Sequence, residues 1–246
     1  MTITSAHNPH LKELRRLAHR RRARELAGRF VAEGEDLLAA ADAAGWSALE
    51  RYCAAGSGLP GVEVAPELLA AASELGSGTR ALAVYETRWA ARPIGPLCVS
   101  LHGVGDPGNV GTILRSAVAF GAASVAIGPG TADPFGPKAV RASMGAVFEV
   151  PLVRIKHASE LPRPTVALVA EGGVPLAELG LAPPEGPCGT GSGVTLMVGA
   201  ERDGLAAELV AAADHAARIP IVSHSLNAAM AATVALYEVS RRMAPQ

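Results

Sequence analysis

Beyond residue 96 the chain alternates unbroken apolar runs with stretches of helical period. LCVSL (97–101), SVAIG (124–128), TVALVA (165–170) and VTLMVG (194–199) are nearly all apolar, the pattern of strands buried on both faces. VFEV (147–150) and HAARIP (215–220) read as two more strands, and helices are expected at 110–120, 136–143, 205–213 and 226–242. Such alternation predicts a parallel sheet covered by helices on both sides. The part before residue 87 is shorter in rhythm. It reads as a helix over 9–27, then a strand and an acid-started helix in FVAEGEDLLAAADAAG that ends at Gly45. Strands ALERYCA (48–54) and VEVA (62–65), a helix PELLAAASEL (66–75) with proline in its first turn and a strand ALAVYE (81–86) complete it. TRWAARPIGP (87–96), broken by Pro93 and Pro96, is the expected linker. The chain is thus α/β, with a small domain over 1–92 and a larger one over 97–246.

Composition changes this picture little. With 49% hydrophobic and 18% charged residues among 246, the chain is of the folded, globular kind. No apolar run approaches the roughly 18 residues that cross a bilayer. The start, MTITSAHNPHLKELRR, lacks the apolar core of a signal peptide, so a cytoplasmic location without membrane contact is expected. Cys53, Cys98 and Cys188 are too few and too scattered for a disulfide framework or a CxxC site. They read as buried or incidental thiols, and no metal is expected.

Charge is more informative in its placement than in its total of −1. Residues 1–30 carry Lys12, Arg15, Arg16, Arg20, Arg21, Arg22, Arg24 and Arg29 against only Glu13 and Glu25. A basic helix on a mildly acidic body is an electrostatic footprint for a phosphate backbone, or simply a solvated charged face. Both readings stand on this segment alone.

Three polar islands sit where strands give way to loops or helices, which is where ligands bind in open α/β sheets. The first is GVGDPGNVGTILRSAVAFG (103–121). On a helical wheel Val110, Ile113, Leu114, Ala117, Val118 and Gly121 share a face, and Arg115 lies on its flank between the small residues Gly111 and Ala119. The guanidinium therefore has room to reach an anion, while Asn109 reads as a helix N-cap or as a site residue. The second is LMVGAERDGL (196–205), where Gly199 and Gly204 allow close backbone approach and Glu201 suits the start of a helix. The third is RIPIVSHSLNAAMAATVALYE (218–238). Here Ser225 suits an N-cap, Leu226, Met230 and Val234 form an apolar stripe, His224 reads as a loop histidine, and Asn227 has no packing reason to be present. No phosphate loop, dinucleotide fingerprint or GxSxG elbow occurs.

Taken together and in order, these islands resemble the three motifs of the SpoU (TrmH) family of RNA ribose 2′-O-methyltransferases. DPGNVGTILRSAVAFGA looks like the first, LMVGAERDGL the second, and IPI with SLNAAMAATVALYE the third. The segment from FVAEGEDLLAAADAAG through GTRALAVYE is similar to the L30e-like substrate-binding domain often fused in front. The resemblance implies a trefoil-knotted methyltransferase domain, a homodimer, and S-adenosylmethionine held by Leu196, Gly199, Ile219, Ile221 and Leu226. It maps catalytic positions onto Asn109, Arg115, Glu201, Ser225 and Asn227, with Glu201 fixing Arg115 or its own loop and Arg115 facing the cleft. The implied substrate is structured RNA, ribosomal rather than transfer RNA, with Arg15, Arg16, Arg20, Arg21 and Arg22 holding phosphate. Transfer RNA methylation and a non-catalytic RNA-binding factor are the alternatives. The chain departs from the family pattern at Arg202 and Asp203, where small or acidic residues are commoner, at Ala228-Ala229, and in a short stretch between Pro220 and Ser225.

Overall fold

The computed structural model describes residues 2–73, 78–181, 192–222 and 225–243. The helices are α1 Pro9–His19, α2 Arg21–Ala27, α3 Glu35–Ala43, α4 Pro66–Ala70, α5 Pro107–Ala119, α6 Pro137–Ala142, α7 Ala207–Ala212 and α8 Ala228–Met243. The strands of the first half are β1 Arg29–Glu33, β2 Glu50–Ala54, β3 Val62–Val64, β4 Ala81–Glu86, β5 Leu97–Leu101 and β6 Ser124–Ile127. They are followed by β7 Leu152–Arg154, β8 Arg163–Leu168, β9 Val174–Pro175, β10 Ser192–Val198 and β11 His215–Arg218.

Two units emerge, one of residues 1–87 with 133–148, the other of residues 88–132 with 149–246. The second holds a seven-stranded sheet in the order β7-β6-β5-β10-β8-β11-β9. Every pairing in it is parallel. Its central strands β5 and β10 run through Val99, Leu101, Leu196 and Met197, all buried, as continuous apolar runs demand. Asp214, just before β11, ties the sheet at β8. It accepts from Arg163 and from the amide (2.7 Å) and hydroxyl (2.9 Å) of Thr165. Burial works to raise its carboxyl pKa, but those bonds outweigh burial and bring it down to about 2.

The first unit has a four-stranded sheet, β1-β4-β2-β3, in which β4 is antiparallel to both neighbours and β3 is parallel to β2. Its core joins Leu11, Leu14 and Leu17 of α1 to Val31, Tyr52, Val64 and Leu82 of the sheet. A second cluster is aromatic: Phe30, Trp46, Tyr85, Phe135 and Phe148 lie with ring centroids 4.8–6.4 Å apart. The Trp46 indole donates to the Phe148 carbonyl at 2.8 Å.

The structure departs from the sequence reading at several points. The helix over 9–27 breaks at Arg20, whose backbone is extended (φ −122°, ψ 107°). Arg24 repairs the break: its Nη1 donates to the carbonyls of Leu17 and Ala18 at 2.7 and 3.0 Å, near the end of α1 where helical amide donors run out. Residues 147–150 do not form a strand. Ala146–Phe148 is a 3-10 turn that delivers Phe148 to the ring cluster, and the strand follows at Leu152–Arg154. The two-residue strand β9 was not anticipated. Finally, boundaries at 92 and 97 leave residues 133–148 in the larger domain, whereas Phe135, Phe148 and Asp133 pack with the first unit. The helix expected over 66–75 stops at Ala70, with 71–72 in a turn, while most of the expected loop at 182–193, with Cys188, lies outside the described residues. Among the described residues no helix is long and apolar enough to cross a membrane.

The Arg24–Asp133 pair, 2.8 Å apart and with both side chains under a tenth exposed, is the main buried charge in this unit. Arg24→Ala leaves Asp133 buried without its cation and is expected to destabilise the protein by about 3–5 kcal/mol in urea unfolding. Arg21→Ala, which removes a surface pair to Glu25, is expected to change stability by no more than about 0.5 kcal/mol.

Candidate active site

The site is built at the carboxyl end of β10. Gly199 packs so closely on Gly204 that an added Cβ would overlap the Gly204 carbonyl group, so no other residue fits there. Between them the chain turns back on itself, with Ala200 and Gly204 exchanging both backbone hydrogen bonds at 3.0 Å. Gly204 takes a left-handed conformation (φ 65°). This tight loop carries Glu201. Since α7 begins only at Ala207, Glu201 is not in the first turn of a helix and the helix dipole does not explain it.

The helix caps differ from those read in the sequence, and the difference matters. Asp106, not Asn109, caps α5, accepting from the Asn109 amide at 3.0 Å. Asn109 thus sits in the first turn with its side chain released. Its Nδ2 donates to Oε1 of Glu201. At α8 the capping group is Asn227 instead of Ser225: Asn227 Oδ1 accepts from the amides of Ala229 (2.9 Å) and Met230 (3.2 Å). The Asn227 Nδ2 then donates to Glu201 Oε1 at 3.0 Å and to Asn109 Oδ1 at 3.2 Å. Each island therefore contributes one member of a closed polar triangle. Behind it α5 and α8 pack through Ser116 and Thr233 hydroxyls 2.7 Å apart and through the rings of Phe120 and Tyr237.

Next to the triangle is a cleft of about 270 Å³. Leu168, Val169 and Ala170 form one wall, Val198 to Arg202 with Gly204 another, and Ile219, Ile221, Ser225, Leu226, Ala228 and Ala231 the rest. A Cβ at Gly204 would meet no atom within 4 Å, so the space over the turn is open. Apolar walls with a few convergent polar groups are the usual make-up of a small-molecule site, and the volume lies just below the usual range.

Gly199, Ile219, Ile221 and Leu226, expected to hold the cofactor, line this cleft, and so does Ser225. Leu196 does not. It is fully buried in β10, because the cleft begins past the end of the strand. The 168–170 wall was missed, although it is the carboxyl end of the strand next to β10 and the rule about strand ends points to it. Arg115 is exposed on α5, lines no part of the cleft and has no partner among the described residues. Glu201 binds the two asparagines, not Arg115. His224 lies outside the described residues.

Elsewhere, Lys12, Arg15, Arg16, His19 and Arg20 line a shallow groove of about 370 Å³ on the first unit, and Arg21 and Arg22 are exposed on α2. Larger open hollows of about 450 and 1070 Å³ in that unit hold none of the three islands. Cys53 and Cys98 are buried, and burial pushes the Cys98 thiol up to about 11. Among the described residues no group of three or more His, Cys, Asp or Glu is placed to hold a metal ion.

Comparison with known proteins matches residues 96–237 to the SpoU rRNA Methylase family. The chain is 35% identical over 144 residues to the 23S rRNA (uridine(2479)-2'-O)-methyltransferase of Streptomyces viridochromogenes, covering 56% of this chain and 50% of that one. It is 34% identical over 151 residues to the 23S rRNA (guanosine(2553)-2'-O)-methyltransferase of Bacillus subtilis, 56% of each. The chain thus spans about half the length of these curated relatives. The crystal structure of an AdoMet-bound rRNA methyltransferase from Sinorhizobium meliloti superposes with a TM-score of 0.84 at 28% identity, covering 100% of this chain and 99% of that one.

Gly199→Ala tests the turn that carries Glu201. Its methyl group has only backbone to displace, so the 200–204 loop must move. The expected outcome is a folded protein with a lowered melting temperature and a loss of ligand binding in the cleft, measured by calorimetry. Wild-type ligand affinity in this variant would contradict the assignment.

Proposed function

Because the chain belongs to the SpoU rRNA methylase family, we propose that it transfers a methyl group from S-adenosylmethionine to a ribose 2′-hydroxyl of ribosomal RNA. The observation that carries this reading is the Asn109–Glu201–Asn227 triangle beside an apolar cleft. The relatives named as 23S rRNA 2'-O-methyltransferases and the AdoMet-bound neighbour support the substrate and the cofactor.

The cleft suits such a cofactor. Leu168, Ile219, Ile221 and Leu226 offer apolar surface to an adenine ring, and the open backbone at Gly199 and Gly204 offers close approach. When bound, S-adenosylmethionine supplies an electrophilic methyl group on a sulfonium. The protein's own contribution is mostly positioning. Glu201 fixes the two asparagines, and these orient the attacking hydroxyl. Arg115 grips the neighbouring phosphate with its guanidinium fork and stabilises the negative charge that develops on the ribose oxygen. Ser225 lines the same cleft and adds a hydroxyl to it.

The same reading assigns RNA binding to the first unit, as an L30e-like domain whose α1 groove and α2 arginines hold phosphate. It carries the trefoil knot with the methyltransferase domain. It also assigns a second copy of the chain to the exposed apolar side of α8, where Met230, Val234 and Tyr237 stand about half exposed at helical spacing.

Incubation with radioactive S-adenosylmethionine and total RNA tests the activity. Label is expected in ribosomal RNA, and Arg115→Ala is expected to lower the rate at least about a hundredfold. RNA binding with no transfer by the wild type would make the protein a non-catalytic binding factor. For the basic segment, RNA affinity is expected to fall steeply with salt. Neutralising Arg20, Arg21 and Arg22 together is expected to flatten the log–log slope by about 2, and an unchanged slope rejects this footprint.

A further inference from the structure

We propose that Arg202 binds the carboxylate of the cofactor's amino-acid tail, an inference that rests on the methyltransferase reading. Among the described residues lining the cleft, Arg202 is the only cation, and Glu201 is the only other charged group. The two differ in their engagement. Glu201 is tied to Asn109 and Asn227, whereas Arg202 is exposed and pairs with nothing among the described residues.

The rest of the lining is apolar side chain, backbone and the Ser225 hydroxyl, none of which neutralises an anion. S-adenosylmethionine brings one: its tail ends in a carboxylate. Placed in a cleft whose other fixed charge is a carboxylate, that group is repelled unless a cation meets it. A guanidinium is the side chain best matched to it, because its fork of N–H donors meets both carboxylate oxygens at once. The loop that presents Arg202 is held at both ends by the Ala200–Gly204 hydrogen bonds, so the side chain starts from a fixed base. Asp203, the next residue, is exposed and outside the lining, so it does not occupy the guanidinium from within the cleft. A phosphate of the RNA is the competing anion. The position of Arg202 in the wall of the cleft, together with Gly199 and Ile219, favours the cofactor.

Calorimetric titration of the full chain with two nucleosides separates the possibilities. S-adenosylhomocysteine retains the amino-acid tail, and 5′-methylthioadenosine lacks it. Arg202→Gln is expected to weaken S-adenosylhomocysteine about tenfold or more while 5′-methylthioadenosine changes less than twofold. Arg202→Lys, which keeps the charge and loses the fork, is expected to fall between. Equal weakening of both nucleosides, or no change in either, overturns the assignment. Weaker binding of RNA with both nucleosides unaffected assigns Arg202 to phosphate and overturns it too. If the wild type binds neither nucleoside, the methyltransferase reading falls and the inference with it. Unchanged thermal unfolding of the unliganded variants separates a lost contact from a lost fold.

Discussion

One carboxylate oxygen holds the site together. Oε1 of Glu201 accepts from amide groups that lie 92 and 26 residues away in the chain, so three strand-to-helix junctions are bound to a single point. That point is fixed from below by geometry rather than by side-chain packing. Gly199 and Gly204 touch backbone to backbone, and the loop between them has one way to close. Asn227 shows how fully the polar capacity is used. Its carbonyl oxygen caps α8, and its amide nitrogen serves both Glu201 and Asn109. Helix start and site geometry are therefore one arrangement, and a change at Asn227 strikes both.

Much of this was legible in the amino-acid sequence, for a physical reason. Strands buried on both faces must be continuously apolar, so β5, β6, β8 and β10 stand out, and polar residues at their carboxyl ends have no role in packing. Caps were harder. Asn109 and Ser225 have cap chemistry, but so do Asp106 and Asn227, and only the position of the first helical hydrogen bond decides among them. The break at Arg20 left no glycine or proline as a mark. The extra wall at 168–170 and the core position of Leu196 depend on where a strand stops, which periodicity locates only to within a few residues. Nothing in the pattern around Phe135 and Phe148 says which part of the chain they pack against.

Counting charge along the chain gave a true surplus near the start but overstated its reach. Arg24 is spent inside the fold on Asp133 and two carbonyls. What remains for a polyanion follows from helix geometry. Leu11, Leu14, Leu17 and Ala18 turn inward on α1, and Lys12, Arg15, Arg16, His19 and Arg20 are left together on the outer surface. The basic groove on α1 is set by the same period that buries the leucines, and Arg21 and Arg22 lie exposed beyond it on α2.

The ring cluster of the first unit has a consequence for how such chains can be inherited. Phe30, Trp46 and Tyr85 come from the stretch before residue 88, but Phe135 and Phe148, which complete the cluster, are encoded after β6. The unit is not a detachable cassette. Recombination or engineered shuffling that exchanges the N-terminal part between related chains must carry two separate stretches together, or the transplanted piece arrives with a hole among its aromatic rings.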